Sequence, residues 1–254
     1  MVKTISTVFM ILWKIWFILI FLISYALLFP FFWLFLGNKK YSSQAIATTR
    51  VWAYTVMYSV GILLKIKKDK NFRVSEPYVI CCNHTSYLDI VLLHIFLGNK
   101  IVFMGKKELG STPIIKRFFK HVHILVDRKS QIASHRAFLK ASQEIDRGKS
   151  IIIFPEGTIS REKPLLKPFK NGAFRMAIDK NVKILPITFL NNWQLLEDAP
   201  LLKGKGGPGF ARIVIHKPIN PNDFKGEFAL EEIKNKVRFE ITNELSNYYH
   251  KKIE

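Results

Sequence analysis

The chain has 254 residues, enough for one well-buried domain, and a second of ordinary size is not expected. Lys and Arg number 39 against 19 Asp and Glu, a net charge of +20 that calls for an anionic partner, nucleic acid or an acidic membrane surface. The two cysteines, Cys81 and Cys82, are adjacent, a spacing that rarely bridges, and with His84 as their one neighbouring ligand type no metal site is expected.

From the N-terminus, Ile15 to Leu36 carries no charged side chain. As a helix this run spans roughly 33 Å against a hydrocarbon core of about 30 Å, too long for a cleaved signal peptide. Trp13, Trp16 and Trp33, with Lys39 and Lys40 just beyond, supply interfacial anchors, and Pro30 is a point of kinking. Ala45 to Leu64 is also apolar but carries Arg50 and several hydroxyls, which suits a half-buried or surface-lying helix. Two helices dipping into one leaflet fit this pattern as well as one or two crossings do. The basic run Lys65-Ile66-Lys67-Lys68-Asp69-Lys70 follows directly, placed to meet lipid headgroups. With no nucleic-acid motif in the chain, the apolar N-terminus selects the membrane as the anionic partner. The heavier basic load after the first segment puts the remaining domain in the cytoplasm if that segment spans. The expected division is a membrane-anchoring part, 1–64, and a soluble part, 65–254.

Beyond residue 70, β-branched and apolar runs predict strands near Tyr78–Cys82, Ile101–Met104, His123–Val126, Ser150–Phe154, Lys183–Phe189 and Ala211–His216. Helical periodicity predicts helices near Leu88–Phe96, Pro113–Lys120, Ser130–Arg147, Gly172–Asp179 and Ala229–Lys251. The alternation implies an α/β sheet flanked by helices. The glycine-rich stretch Leu201 to Phe210 lacks the strand-to-helix setting of a nucleotide cradle and reads as a mobile surface loop.

Two of these strands end in turns that carry chemistry. After Tyr78-Val79-Ile80 comes Asn83-His84-Thr85-Ser86-Tyr87-Leu88-Asp89, in which a five-residue offset lets a turn bring the Asp89 carboxylate to the His84 imidazole. A carboxylate that takes the proton of one ring nitrogen leaves the other basic and aimed, the requirement for a general base. After Ile151-Ile152-Ile153 comes Phe154-Pro155-Glu156-Gly157-Thr158, and α/β sheets gather such strand-end loops at one edge. Neither Thr85 nor Ser86 has the sharp strand-to-helix elbow of a covalent nucleophile; capping the next helix or orienting the loop is the expected role.

Between and after these turns lie Lys106-Lys107-Glu108-Leu109, Val126-Asp127-Arg128, Pro168-Phe169-Lys170-Asn171-Gly172 and Ile184-Leu185-Pro186-Ile187. In this order, from Asn83 to Pro186, the blocks resemble the glycerolipid acyltransferase family, specifically its bacterial 1-acylglycerol-3-phosphate acyltransferases. The resemblance implies a glycerol-3-phosphate acyltransferase-like mixed α/β sheet flanked by helices, with an N-terminal membrane-embedded helical hairpin. It also implies transfer of an acyl group from acyl-CoA or acyl carrier protein to a lysophospholipid acceptor, without a cofactor, at the cytoplasmic face of the inner membrane. His84 and Asp89 are the expected catalytic pair. Lys106 or Lys107 matches the family's basic residue for the acceptor phosphate, with Glu156, Gly157 and Thr158 around the acceptor and Asn83 and Ser86 supporting the loop. Glu156 either bonds the acceptor's glycerol hydroxyls or braces the loop. Where many members carry arginine after the threonine, this chain has Ile159; Arg161 replaces it or Arg128 and Lys170 share the load. That departure leaves another lysolipid headgroup as the alternative acceptor, while a catalytically silent membrane lipid-binding protein is the alternative of a different class, against which the intact His84, Asp89 and Glu156 stand.

Overall fold

A computed structural model describes residues 2–111, 113–200 and 202–250. Helices α1 (Val2–Phe35) and α2 (Ser42–Ser59) form an antiparallel pair, followed by strand β1 (Ile62–Lys68). Then come β2 (Val79–Cys82), α3 (Leu88–Phe96), β3 (Ile101–Lys106), α4 (Pro113–His121), β4 (Ile124–Val126), α5 (Gln131–Asp146) and β5 (Ser150–Ile153). The chain continues with α6 (Gly172–Asp179), β6 (Ile184–Phe189), the short α7 (Asn192–Leu195), β7 (Gly209–Ile215) and α8 (Ala229–His250). The predicted last helix ran to Lys251, which lies outside the described residues.

Seven strands form one mixed sheet in the order β1-β7-β6-β2-β5-β3-β4. All neighbours run parallel except β6 and β7, which are antiparallel through Ile187↔Ile215 and Phe189↔Ile213. The central β2 is buried along its whole length, as a strand covered on both faces must be. Its period of two sends Ile80 and Cys82 into the layer shared with α1, α2 and α3, and Val79 and Cys81 into the layer shared with α5, α6 and α8. The cysteines therefore sit on opposite faces, unbridged, and burial pushes both thiols well above their ordinary range.

The N-terminal part differs in detail from the expected hairpin. Among the described residues only α1 is long and apolar enough to cross a bilayer, from Thr7 to Phe35, with 11% of its most apolar window buried. Helix α2 turns Ala45, Ile46, Ala53, Val56 and Met57 into the protein core and leaves Val51, Tyr54 and Tyr58 exposed. Arg50, the charge that interrupted the apolar pattern, donates to the carbonyls of His94 and Leu97 and so satisfies the end of α3. Strand β1 was not predicted. It starts at Ile62, so the 64/65 division falls inside it, and the basic run supplies the exposed side of an edge strand, with Lys67 3.8 Å from Glu244. The glycine-rich loop is pinned: Lys14 of α1 donates to the carbonyls of Lys203 (2.8 Å) and Gly204 (3.0 Å).

Candidate active site

Because β2 and β5 are parallel neighbours, the turns that follow them meet at one edge of the sheet. Asn83, fully buried, anchors the first turn through a reciprocal pair, its Nδ2 donating to the Phe189 carbonyl (2.9 Å) and its Oδ1 accepting from the Phe189 amide (2.8 Å). Ser86 Oγ accepts from the Leu88 amide (3.1 Å) and donates to the Leu196 carbonyl (2.6 Å), which fixes the entry into α3.

Asp89 stands in the first turn of α3, where the helix dipole favours an anion, and is fully buried. Its Oδ2 accepts from the amides of Thr85 (2.7 Å) and Ser86 (3.0 Å) and lies 3.0 Å from His84 Nδ1. Its Oδ1 accepts from Asn192 Nδ2 at 2.7 Å. All four groups can donate, so the species there is the acceptor-only carboxylate, and Nδ1 must carry the ring proton. In the neutral imidazole this leaves Nε2 as the basic atom. The ring stacks on Phe154 (centroids 4.0 Å, planes 17° apart) and its side chain is 12% exposed, enough for a substrate atom to reach it.

Phe154, Pro155, Glu156 and Gly157 make a tight turn closed by Gly157 N–H to the Phe154 carbonyl (2.9 Å), with Pro155 at the position that fixes its φ. Gly157 has φ +79°, and a Cβ there would also crowd Arg128 Nη1 (3.2 Å) and Lys170 Nζ (3.3 Å). Glu156 is buried, and both its oxygens accept backbone amides: His84 N–H on Oε1 (2.9 Å) and Lys167 N–H on Oε2 (2.8 Å). Burial raises its pKa, while these amides pull the other way. The carboxylate thus staples the two turns together, and the Ser160 amide adds a bond to the His84 carbonyl (3.1 Å).

The expected phosphate ligands divide into groups. Arg128 donates to the Gly157 carbonyl, and with Lys170 it rims a cavity of about 270 Å³ whose apolar wall includes Ile153, Phe154 and Met176. Lys106 and Lys107 leave the end of β3 as exposed side chains, 3.3 Å from Glu108 and 2.9 Å from Asp127 respectively. Thr158 and Arg161 are exposed on the segment after the second turn. A larger cavity, about 460 Å³, opens beside Tyr78 and Ser150 at the starts of β2 and β5, the opposite edge from His84.

Sequence reasoning missed Asn192 and the Phe154 stack. The tandem asparagines Asn191 and Asn192, one residue beyond a predicted strand, were the available signal for the first, since that is where sheet-edge sites collect their residues.

A family model described as Acyltransferase matches residues 63–190. The 1-acyl-sn-glycerol-3-phosphate acyltransferase BAT2 of Brassica napus, a chloroplastic protein, is 30% identical over 82% of this chain, which spans 58% of that relative's length. The 1-acyl-sn-glycerol-3-phosphate acyltransferase of Helicobacter pylori is 29% identical over 68% of this chain and 70% of its own. Among solved structures, the 1-acyl-sn-glycerophosphate acyltransferase PlsC of Thermotoga maritima superposes with a TM-score of 0.74 at 20% identity, covering 93% of this chain and 98% of that one, a likeness of fold. With its mixed sheet matched by that fold and half its length matched by the family model, the chain belongs to the acyltransferase family.

Proposed function

We propose that this protein transfers a fatty acyl group from a thioester to the sn-2 hydroxyl of 1-acyl-sn-glycerol 3-phosphate, giving phosphatidic acid. The observation that carries the reading is the buried Asp89 carboxylate 3.0 Å from His84 Nδ1, which leaves Nε2 as a base beside a small opening. Nε2 takes the acceptor's hydroxyl proton as the oxygen attacks the thioester carbonyl, Asp89 stabilises the imidazolium, and the C–S bond breaks as the C–O bond forms. The proton then passes to the departing thiolate. No side chain is acylated on the way, since the lipid hydroxyl occupies the role of a serine. The relatives named for this reaction in a plant and a bacterium support the choice of acceptor.

Arg128 and Lys170, close together at Gly157, are the assigned phosphate ligands, with Lys106, Lys107 and Arg161 assisting and Thr158 near the acceptor. Asn83, Ser86 and Glu156 hold the loops. The donor is acyl-CoA or acyl carrier protein, and the protein needs no cofactor. The exposed apolar side of α1 anchors it to the cytoplasmic face of the inner membrane, with no role for nucleic acid.

One observation favours a second acceptor. Ile159 stands where the family often has arginine, so a lysolipid with a different headgroup is the competing substrate. Purified protein in detergent, given a labelled acyl thioester with lysophosphatidic acid, lysophosphatidylcholine and an amino-acid lysolipid in parallel, tests both. Preference for lysophosphatidic acid supports the first reading, and preference for another lysolipid replaces it.

A further inference from the structure

Helix α5 buries Ala137, Ala141 and Ile145 against the sheet and turns the opposite stripe to solvent. On that stripe Ile132 and Leu139 are 68% and 48% exposed, interleaved with exposed Arg136 and Lys140. Residues four, seven and eight positions after Ile132 lie within one helical face, a patch about 12 Å long. Neither Arg136 nor Lys140 makes an ion pair with another described residue. The helix's two acids are engaged elsewhere: Glu144 is buried among Lys39, Arg147 and Lys149, and Asp146 pairs with Lys180 at 2.6 Å. The exposed stripe is therefore positive and partly apolar, with no carboxylate of its own.

Its position gives it a use. The residues just before α5 include Arg128, whose guanidinium reaches Gly157, and Phe138 on the inner side of α5 lines the cavity behind Arg128 and Lys170. The buried side of α5 packs in the layer opposite the one that holds α1 and α2, and the contact between the two sides is at its C-terminal end, where Lys39 reaches Glu144. We propose that the exposed stripe of α5 docks an acidic carrier protein, which brings its acyl thioester to the sheet edge where the turns bearing Arg128, Gly157 and His84 meet. The proposal rests on the acyl-transfer reading above. Positive rim charges speed the encounter with an acidic partner, and exposed apolar side chains between them supply contact area once it arrives.

The test compares two donors bearing the same acyl chain, acyl carrier protein and acyl-CoA, with lysophosphatidic acid as acceptor. Arg136→Glu combined with Lys140→Glu should lower kcat/KM for the carrier-protein donor about tenfold or more at low salt, and flatten its salt dependence, with the acyl-CoA reaction unchanged. Ile132→Ser combined with Leu139→Ser should lower the same value without altering its salt dependence. Thermal midpoints of both variants should match the parent. An equal loss with both donors, no loss with either, or use of acyl-CoA alone by the parent protein overturns the docking proposal while leaving acyl transfer standing. Loss of binding to anionic vesicles in the charge variant would assign the stripe to the membrane instead. Absence of transfer from both donors by the parent protein overturns the acyl-transfer reading itself.

Discussion

Asp89→Asn separates the charge of the carboxylate from its shape. In the parent protein Oδ2 serves the Thr85 and Ser86 amides and His84 Nδ1, while Oδ1 serves Asn192. The two backbone amides cannot reverse, so the new side chain must place its oxygen at the Oδ2 position and its NH2 toward Asn192. Asn192 can answer by rotating its own amide, because its Oδ1 has no partner among the described residues. The tautomer of His84 is thereby kept, and the predicted stability change is under about 1 kcal/mol. What is lost is the charge facing the imidazolium. At 3.0 Å and an effective dielectric constant of about 20, Coulomb's law sets a limit of about 5.5 kcal/mol. We expect about 4 kcal/mol of it in the barrier, a fall in kcat of about 10³-fold. KM should stay within about threefold, since fully buried Asp89 touches no substrate. Steady-state kinetics beside thermal unfolding in the same detergent make the comparison. A folded variant retaining more than a tenth of the parent kcat would remove Asp89 from the mechanism.

Three further outcomes are expected. Glu156→Ala leaves the partly buried amides of His84 and Lys167 without their acceptors, and should cost about 2–4 kcal/mol in denaturant unfolding; a change below about 0.5 kcal/mol would refute its role as a staple. Arg128→Ala should raise KM for the phosphate-bearing acceptor tenfold or more with kcat little changed, and an unaltered KM would remove it from the phosphate site. His94 is held at a pKa of about 4, against an ordinary 6.5, chiefly by burial, with the Ile90 carbonyl opposing and Arg50 reinforcing the shift. A lowered histidine pKa contributes stability in full above pH 6.5 and loses it as pH falls toward 4, so about 3 kcal/mol should vanish across that window. His123, partly buried beside His94, acts in the same direction, and His94→Phe should flatten the acid limb of the stability profile; an unchanged limb would contradict this assignment.

Most of the sheet was legible because its central strands are unbroken apolar runs closed by Asn, Pro or Gly, and its helices keep a clear 3.6-residue period. Strand β1 was not, since an edge strand alternates Leu64 and Ile66 with Lys65 and Lys67 and reads as a polybasic linker. Apolar content equally could not separate α1, which leaves most of its surface exposed, from α2, which spends its apolar side on the core. At the site, local spacing was enough to pair His84 with Asp89. The inward turn of Glu156 onto two amides and the reach of Asn192 to Asp89 join residues 72 and 103 positions apart, so they depend on strand order, which spacing does not encode. The Lys107 pairing with Asp127 likewise follows from how β3 meets β4.

The most direct test of the central claim is single-turnover acyl transfer to lysophosphatidic acid by the parent protein and His84→Ala, with binding of the acceptor measured on the same samples. Rapid transfer by the parent is expected, with a loss of at least about 10³-fold in the variant and acceptor affinity within about threefold. Transfer by a folded His84→Ala protein at a rate near the parent's would contradict it.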